Sequence, residues 1–312
     1  MNYDTYDTGA YFYTTGLLIL RIYDMKTLAE LRYDYHREIG ERIIRISGSE
    51  GNTYPNFADM NSQSSILIAN GITDLLGFPR TNVSRISGQT AGNLFEIITC
   101  AFLEAAFHSI QHLRPGRWEY KTTSTQISNF VQYQHLNVLS DLVNQDRNLA
   151  SAIGHGYIVT PDIIVGRFPV TLDEINASDI FLDSEETTML TPFVSIDQLS
   201  PIPYLHASIS CKWTIRSDRS QNTRTEALNL IRNRKGKLPH IVAVTAEPLP
   251  MRIASLALGT GDLDCVYHFA LHELREICNS IPRGQDQLEM LETMVQGKRL
   301  RDIGDLPFDL AI

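Results

Sequence analysis

The sequence predicts an α/β protein with a central mixed β-sheet flanked by helices. Three observations carry that prediction. Residues 205–215, LHASISCKWTI, put Leu205, Ala207, Ile209, Cys211, Trp213 and Ile215 at every second position, with His206, Ser208, Ser210, Lys212 and Thr214 between them. Strict period-two alternation describes a strand with one buried face and one polar face. Residues 240–248, HIVAVTAEP, begin as a short continuous apolar run and read as a buried strand. Residues 91–113, AGNLFEIITCAFLEAAFHSIQHL, are apolar around most of a helical circumference, which marks a central helix.

The remaining elements follow in chain order. Residues 1–24 are aromatic, Thr-rich and aperiodic, and are expected to form a peripheral extension. That extension is expected to lie upstream of a natural start at Met25, which opens an amphipathic run, MKTLAELRYDYHREIGERI. Residues 25–312 are expected to form one domain, because no linker, repeat or low-complexity tract interrupts them. SSILIANGITDLLG (64–77) predicts a helix closed by Gly77 and Pro79, and Pro115-Gly116 ends the long helix. YIVTPDIIVGRF (157–168) predicts a strand, followed by a loop-rich stretch to about residue 203. TRTEALNLIRNRK (223–235) predicts a helix stopped by Gly236, and CVYHFALHELREIC (265–278) predicts a final helix.

Composition narrows the function classes. The 312 residues are 20% charged and 43% hydrophobic, which fits a soluble globular protein and excludes a disordered or fibrous one. Cys100, Cys211, Cys265 and Cys278 form no CxxC pair, so free buried thiols in a reducing cytoplasm are expected. No uninterrupted apolar run suggests a membrane span, and the acidic N-terminus lacks the basic region of a signal peptide. The net charge of -9 argues against nucleic acid only superficially. Between Lys212 and Lys237 eight basic residues face two acidic ones. Because charges are screened over about 8 Å at physiological salt, this local field outweighs the total.

The strand at 205–215 also carries the chemistry. Ser210 and Lys212 share its polar face, and Arg216, Ser217, Asp218 and Arg219 follow at once. Arginine bonds guanine O6 and N7 in bidentate fashion, and aspartate accepts from the cytosine amino group. Arg216, Asp218 and Arg219 thus offer two guanine readers and one cytosine reader. Two G·C pairs per half-site fit that inventory, and a two-fold dimer doubles them to a palindrome of four G·C pairs. Phosphodiester hydrolysis needs a divalent cation held by hard oxygen ligands and a positive group near the phosphate. Asp162, after Pro161 in the strand-like run, supplies a carboxylate, and Lys212 supplies the cation. Each signal alone is weak, since a strand-end aspartate, a solvated lysine and a surface Arg–Asp–Arg network are all commonplace.

Together, SGQTAGNLFE (87–96), TPDIIV (160–165), LHASISCKWTIRSDR (205–219) and LPHIVAVTAEP (238–248) closely resemble type II restriction endonucleases that cut sites with a CCGG core. That group belongs to the PD-(D/E)xK nuclease superfamily, and the resemblance covers roughly residues 55–312. It implies a restriction-endonuclease-like core, Mg²⁺ as cofactor, double-stranded DNA as partner, a homodimer pairing into a homotetramer, and a cognate cytosine methyltransferase. One departure stands out: Ser210 occupies the position that is usually acidic. In this group the missing acid comes from a helix, here Glu96. The resemblance therefore implies Asp162 and Glu96 as metal-site acids, Lys212 as the catalytic lysine, Ser210 as a supporting polar group and the Cys211 carbonyl as a further ligand. It also implies Asp59, Gln89 and Arg252 as contacts to an outer base pair, giving GCCGGC cut after its first G to leave 5′-CCGG ends. Two other classes stay open: a sequence-specific DNA-binding protein without catalysis, and a repair nuclease with the same core.

Two further patterns are expected to be structural. His268 and His272, four residues apart, could share a helix face as ligands but have no third ligand nearby. Gly259-Thr-Gly261 lacks the third glycine and preceding strand of a dinucleotide fingerprint and reads as a turn.

Overall fold

The computed structural model describes residues 26–312 except 50–51, 81–85, 123–124, 155–156, 183–190, 195–200, 260 and 282–283, with only the backbone described at Ser49, Asn52, Ile153 and 217–220. The extension expected over 1–24 lies outside the described residues. Thr27 caps α1 (Leu28–Arg42) reciprocally: its Oγ1 accepts the Glu30 N–H at 3.3 Å while Glu30 Oε2 accepts the Thr27 N–H at 2.7 Å. A hairpin of β1 (Ile46–Ser49) and β2 (Asn52–Pro55) leads to α2 (Gln63–Leu75). Gly77, at φ +63°, then turns the chain through the left-handed region, as its position in the sequence predicts. Ser87 Oγ accepts the Thr90 N–H at 3.0 Å and starts α3 (Gly88–Ile110) a turn before the apolar run suggests.

The chain continues through β3 (Trp118–Lys121), α4 (His135–Gln145), α5 (Arg147–Ile153), β4 (Ile163–Arg167) and α6 (Leu172–Ile175). Next come β5 (Tyr204–Lys212), α7 (Ser217–Asn233), β6 (His240–Thr245), α8 (Pro250–Ala257) and β7 (Cys265–His268). The last elements are α9 (Leu271–Ser280), α10 (Gln285–Gln296), β8 (Leu300–Asp302) and α11 (Leu306–Asp309).

Six strands form one sheet in sequence order, β3 to β8. β4 runs antiparallel to both β3 and β5, and β5 to β8 run parallel, so the sheet is mixed, with flanking helices. The predicted α/β class holds. All four cysteines are buried and unpaired.

Four expectations need correction. The alternation of 205–215 implied one solvated face, yet His206, Ser208 and Ser210 are all buried. Their face is covered: His206 lies against Trp118 and His240 and bonds the Leu310 carbonyl, while Ser210 faces Thr223 on α7. Alternation reported a polar layer, not water. The strand expected over 157–168 is only β4, which leaves Asp162 at its threshold. The helix expected over 265–278 is a strand and a helix, β7 and α9, because a continuous apolar run cannot tell a buried strand from a buried helix. His268 and His272 therefore do not share a helix. Finally, Gly88–Leu113 is long and apolar enough, by length and composition alone, to cross a membrane. In the fold, half of its apolar window is buried, and α3 packs on α1 and β5 as the central helix.

A single ion-pair cluster ties α1 to the far edge of the sheet. Arg32 forks onto Asp302 (2.9 Å to each oxygen) and Glu273 (2.9 and 2.7 Å). Burial pushes the Asp302 carboxyl up, but the hydrogen bonds and charge of Arg32 outweigh it, and both carboxyls end below their ordinary range. Arg32→Ala should strand two half-buried or buried carboxylates and cost about 3 kcal/mol in denaturant unfolding near neutral pH. With folded pKa values depressed, that stabilisation is complete above the unfolded values near about 4 and disappears as pH falls through the folded ones. The gap between variant and parent should therefore close in acid.

Candidate active site

Because β4 runs antiparallel to β5 and Ile163 pairs with Ile209, Asp162 arrives beside Ser210 at the end of β5. One carboxylate oxygen gathers three donors there. Asp162 Oδ2 accepts from Cys211 N at 2.7 Å, Lys212 Nζ at 2.8 Å and Ser210 Oγ at 3.4 Å. The carboxylate is thereby fixed by the strand that carries the lysine. Burial disfavours the Lys212 cation, yet the charge and hydrogen bond of Asp162, with the charge of Glu226, raise its pKa above the ordinary value. The raised pKa favours the charged ammonium over a neutral amine that could accept a proton. The Cys211 thiol points into the core, where burial first and the Asp162 charge second keep it protonated.

Two further carboxyls act on this pair. Burial, then the charge of Asp162, pushes Glu96 on α3 up to about 7, with Lys212 pulling the other way. Burial also raises Glu226 on α7, offset in part by Lys212 and reinforced by Asp162. Helix α7 lies over Ser210, whose Oγ is 3.4 Å from Thr223 Oγ1, and Glu226 is one turn further along. Three acidic groups thus face one lysine, an excess of negative charge that a divalent cation would relieve. The donors are hard oxygens, which suits Mg²⁺. Among the described residues no three His, Cys, Asp or Glu side chains converge as a closed cage. An open set of this kind fits an ion that keeps waters and takes ligands from a phosphate.

Glu226 escaped the sequence reading. A usable signal existed, since it is one of only two acids in an otherwise basic segment.

The proposed base readers fall into two groups. Helix α7 begins at Ser217, six residues earlier than the apolar pattern indicates, because Ser and Asp favour a helix's first turn. Arg216 is its exposed N-cap residue, and Asp218 and Arg219 belong to its first turn; the side chains of these last two lie outside the described residues. A cleft of about 950 Å³ brings Arg216 together with Asp59 and Arg252. Asp59 and Arg252 form an ion pair, and Asp59 also accepts the Asn61 N–H at 3.0 Å. That backbone bond, followed by Arg252, holds the Asp59 carboxyl below the usual range. Gln89 is exposed in the first turn of α3, outside the lining of this cleft. It stands seven residues before Glu96, on the same helix face.

Aromatic packing locks these parts together. The Trp213 ring lies edge-on to Phe95 (5.2 Å) and Phe57 (5.7 Å), with Phe269 at 6.2 Å. Phe95 immediately precedes Glu96, and Phe57 is two residues before Asp59.

With this geometry in place, comparison with known proteins decides the family. The family described as NgoMIV restriction enzyme matches residues 35–312. The chain is also 49% identical over 282 residues to the type II restriction enzyme NgoMIV of Neisseria gonorrhoeae, covering 89% of this chain and 96% of that protein. The chain belongs to the NgoMIV restriction enzyme family. As a member of the NgoMIV family it is a type II restriction enzyme, a site-specific deoxyribonuclease that binds DNA. The α/β sheet with its flanking helices agrees with that membership.

Proposed function

We propose that this enzyme is a Mg²⁺-dependent endonuclease with a PD-(D/E)xK core that cuts both strands at a palindromic CCGG-core site. The site is GCCGGC, cut after the first G to leave 5′-CCGG ends. The observation that carries the reading is the convergence of Lys212, Cys211 and Ser210 on one oxygen of Asp162. Mg²⁺ would be held by Asp162, Glu96 and the Cys211 backbone carbonyl, with Glu226 supplying the acidity that Ser210 lacks. When bound, the ion supplies Lewis acidity at the phosphate and makes water a stronger nucleophile.

The chain's own residues do the rest. Asp162 orients the Lys212 ammonium, which stays protonated and can donate to a phosphate oxygen as charge develops in the transition state. Arg216, Asp218 and Arg219 read the inner G·C pairs from the start of α7, and Asp59, Arg252 and Gln89 read the outer pair. A homodimer presents two such sets to the two half-sites, and pairing of dimers gives a homotetramer. The enzyme works in the cytoplasm beside a cytosine methyltransferase that protects host sites.

The test is a digest of unmethylated plasmid carrying GCCGGC and other CCGG sites, with and without Mg²⁺, followed by sequencing of the fragment ends. Cutting confined to GCCGGC and dependent on Mg²⁺ is expected. Cutting at every CCGG would overturn the outer-base assignment, and binding without cutting would overturn the catalytic one. Glu226→Gln should slow cleavage by about 10²-fold or less with site preference unchanged, read in single-turnover kinetics. A variant as fast as the parent would remove Glu226 from the site.

A further inference from the structure

Glu247 lies just beyond β6, is only 1% exposed, and belongs to neither the cutting residues nor the base readers. Its carboxylate is nonetheless shared between both reader segments. Oε2 accepts the Ile215 N–H at 2.9 Å, immediately before Arg216, and Oε1 accepts the Leu249 N–H at 3.2 Å, where α8 begins. Oε1 is also 3.8 Å from Arg252 Nη1, on the guanidinium that pairs with Asp59.

The backbone of Glu247 is anchored as firmly. Its N–H donates to Thr245 Oγ1 at 3.1 Å, and that hydroxyl donates to the Lys212 carbonyl at 2.8 Å. On the other side, His268 Nδ1 accepts the Ala270 N–H at 3.2 Å, so its Nε2 carries the proton and donates to the Glu247 carbonyl at 3.2 Å. One buried residue thus touches, in single steps, the strand end leading to Arg216, the helix bearing Arg252 and the hydroxyl bound to Lys212.

We infer that Glu247 is a positioning residue for sequence recognition, holding the inner reader Arg216 and the outer reader Arg252 in one fixed frame. The inference rests on the reading of those two arginines as base readers. Bidentate recognition of a base edge tolerates little displacement, so spacing between readers is itself a determinant of specificity. A carboxylate suits the task because each of its oxygens serves one backbone donor while its charge attracts Arg252. An amide has one acceptor and must turn a donor toward the other N–H. The fold also carries a cost for this group: burial pushes the Glu247 carboxyl up to about 7, against the opposing hydrogen bonds and Arg252.

The experiment measures single-turnover cleavage by full-length Glu247→Gln on duplexes that share CCGG and carry each outer base pair, with Mg²⁺ present. The rate should fall on every CCGG duplex as Arg216 loosens, and fall further at GCCGGC as Arg252 does, lowering the ratio of the GCCGGC rate to the others by about tenfold or more. Equal slowing on every duplex, with the ratio intact, would overturn the inference and leave a structural role only. If Glu247→Gln does not fold, Glu247→Asp decides by the same ratio, since it keeps both oxygens and the charge but withdraws them by one methylene. Arg252→Ala is run in parallel. If it leaves the ratio as in the parent, or the parent shows no outer-base preference, the reader assignment fails and this inference with it. If Arg252→Ala lowers the ratio and the Glu247 variant does not, this inference alone fails.

Discussion

Lys212→Ala is expected to lower the cleavage rate at saturating enzyme by about 10³-fold or more while leaving specific DNA binding largely intact. Among the described residues the lysine is the cation facing Asp162, Glu96 and Glu226, and Asp162 and Glu226 raise its pKa above the ordinary value. Its removal takes away the charge that opposes charge build-up on the phosphate and leaves Asp162 with only Cys211 N and Ser210 Oγ as donors. Asp162→Ala should be as damaging, since it removes the anchor of the lysine along with a proposed metal ligand. Quenched-flow cleavage beside equilibrium binding in Ca²⁺ separates the two effects. A Lys212→Ala variant that cuts at a normal rate would show that another group carries the reaction.

Arg216→Ala should have the largest effect on recognition. A bidentate guanine contact is worth about 1–3 kcal/mol, and a two-fold dimer loses it twice. Affinity for the specific site should therefore drop by about 30-fold to 10⁴-fold. Non-specific binding at the same salt should weaken only slightly. Equal weakening on all DNA would make Arg216 a phosphate contact instead. Its position favours base reading, for it is exposed at the N-cap of α7, beside Asp59 and Arg252 in the cleft.

Much of the sheet was legible in the sequence because its strands are short apolar runs bounded by turn residues. β6 falls inside its predicted segment, β5 begins one residue before its own, and the pairing of β4 with β5 delivers Asp162 to Lys212. Periodicity failed where packing overrode it. The polar face of β5 is dry because α7 and the C-terminal segment cover it, and no local pattern encodes that cover. β7 was hidden in a helical reading because Val266, Tyr267 and His268 are buried together in the sheet. Glu226 was missed for a related reason: its approach to Lys212 depends on how α7 lies across the sheet, which spacing along the chain does not report. Glu96 was found only through a family resemblance, since an acid on an amphipathic helix is otherwise unremarkable.

The scattering of the acids over separate elements has a consequence for the cell that makes this enzyme. Glu96 comes on α3, Asp162 on the threshold of β4, Lys212 at the end of β5 and Glu226 on α7. β5 itself is completed only by β6, whose Thr245 bonds the Lys212 carbonyl. No single element of the polypeptide therefore carries the site. A nascent chain holds the complete set of these residues only after Thr245 of β6 has been made and has paired beside Lys212.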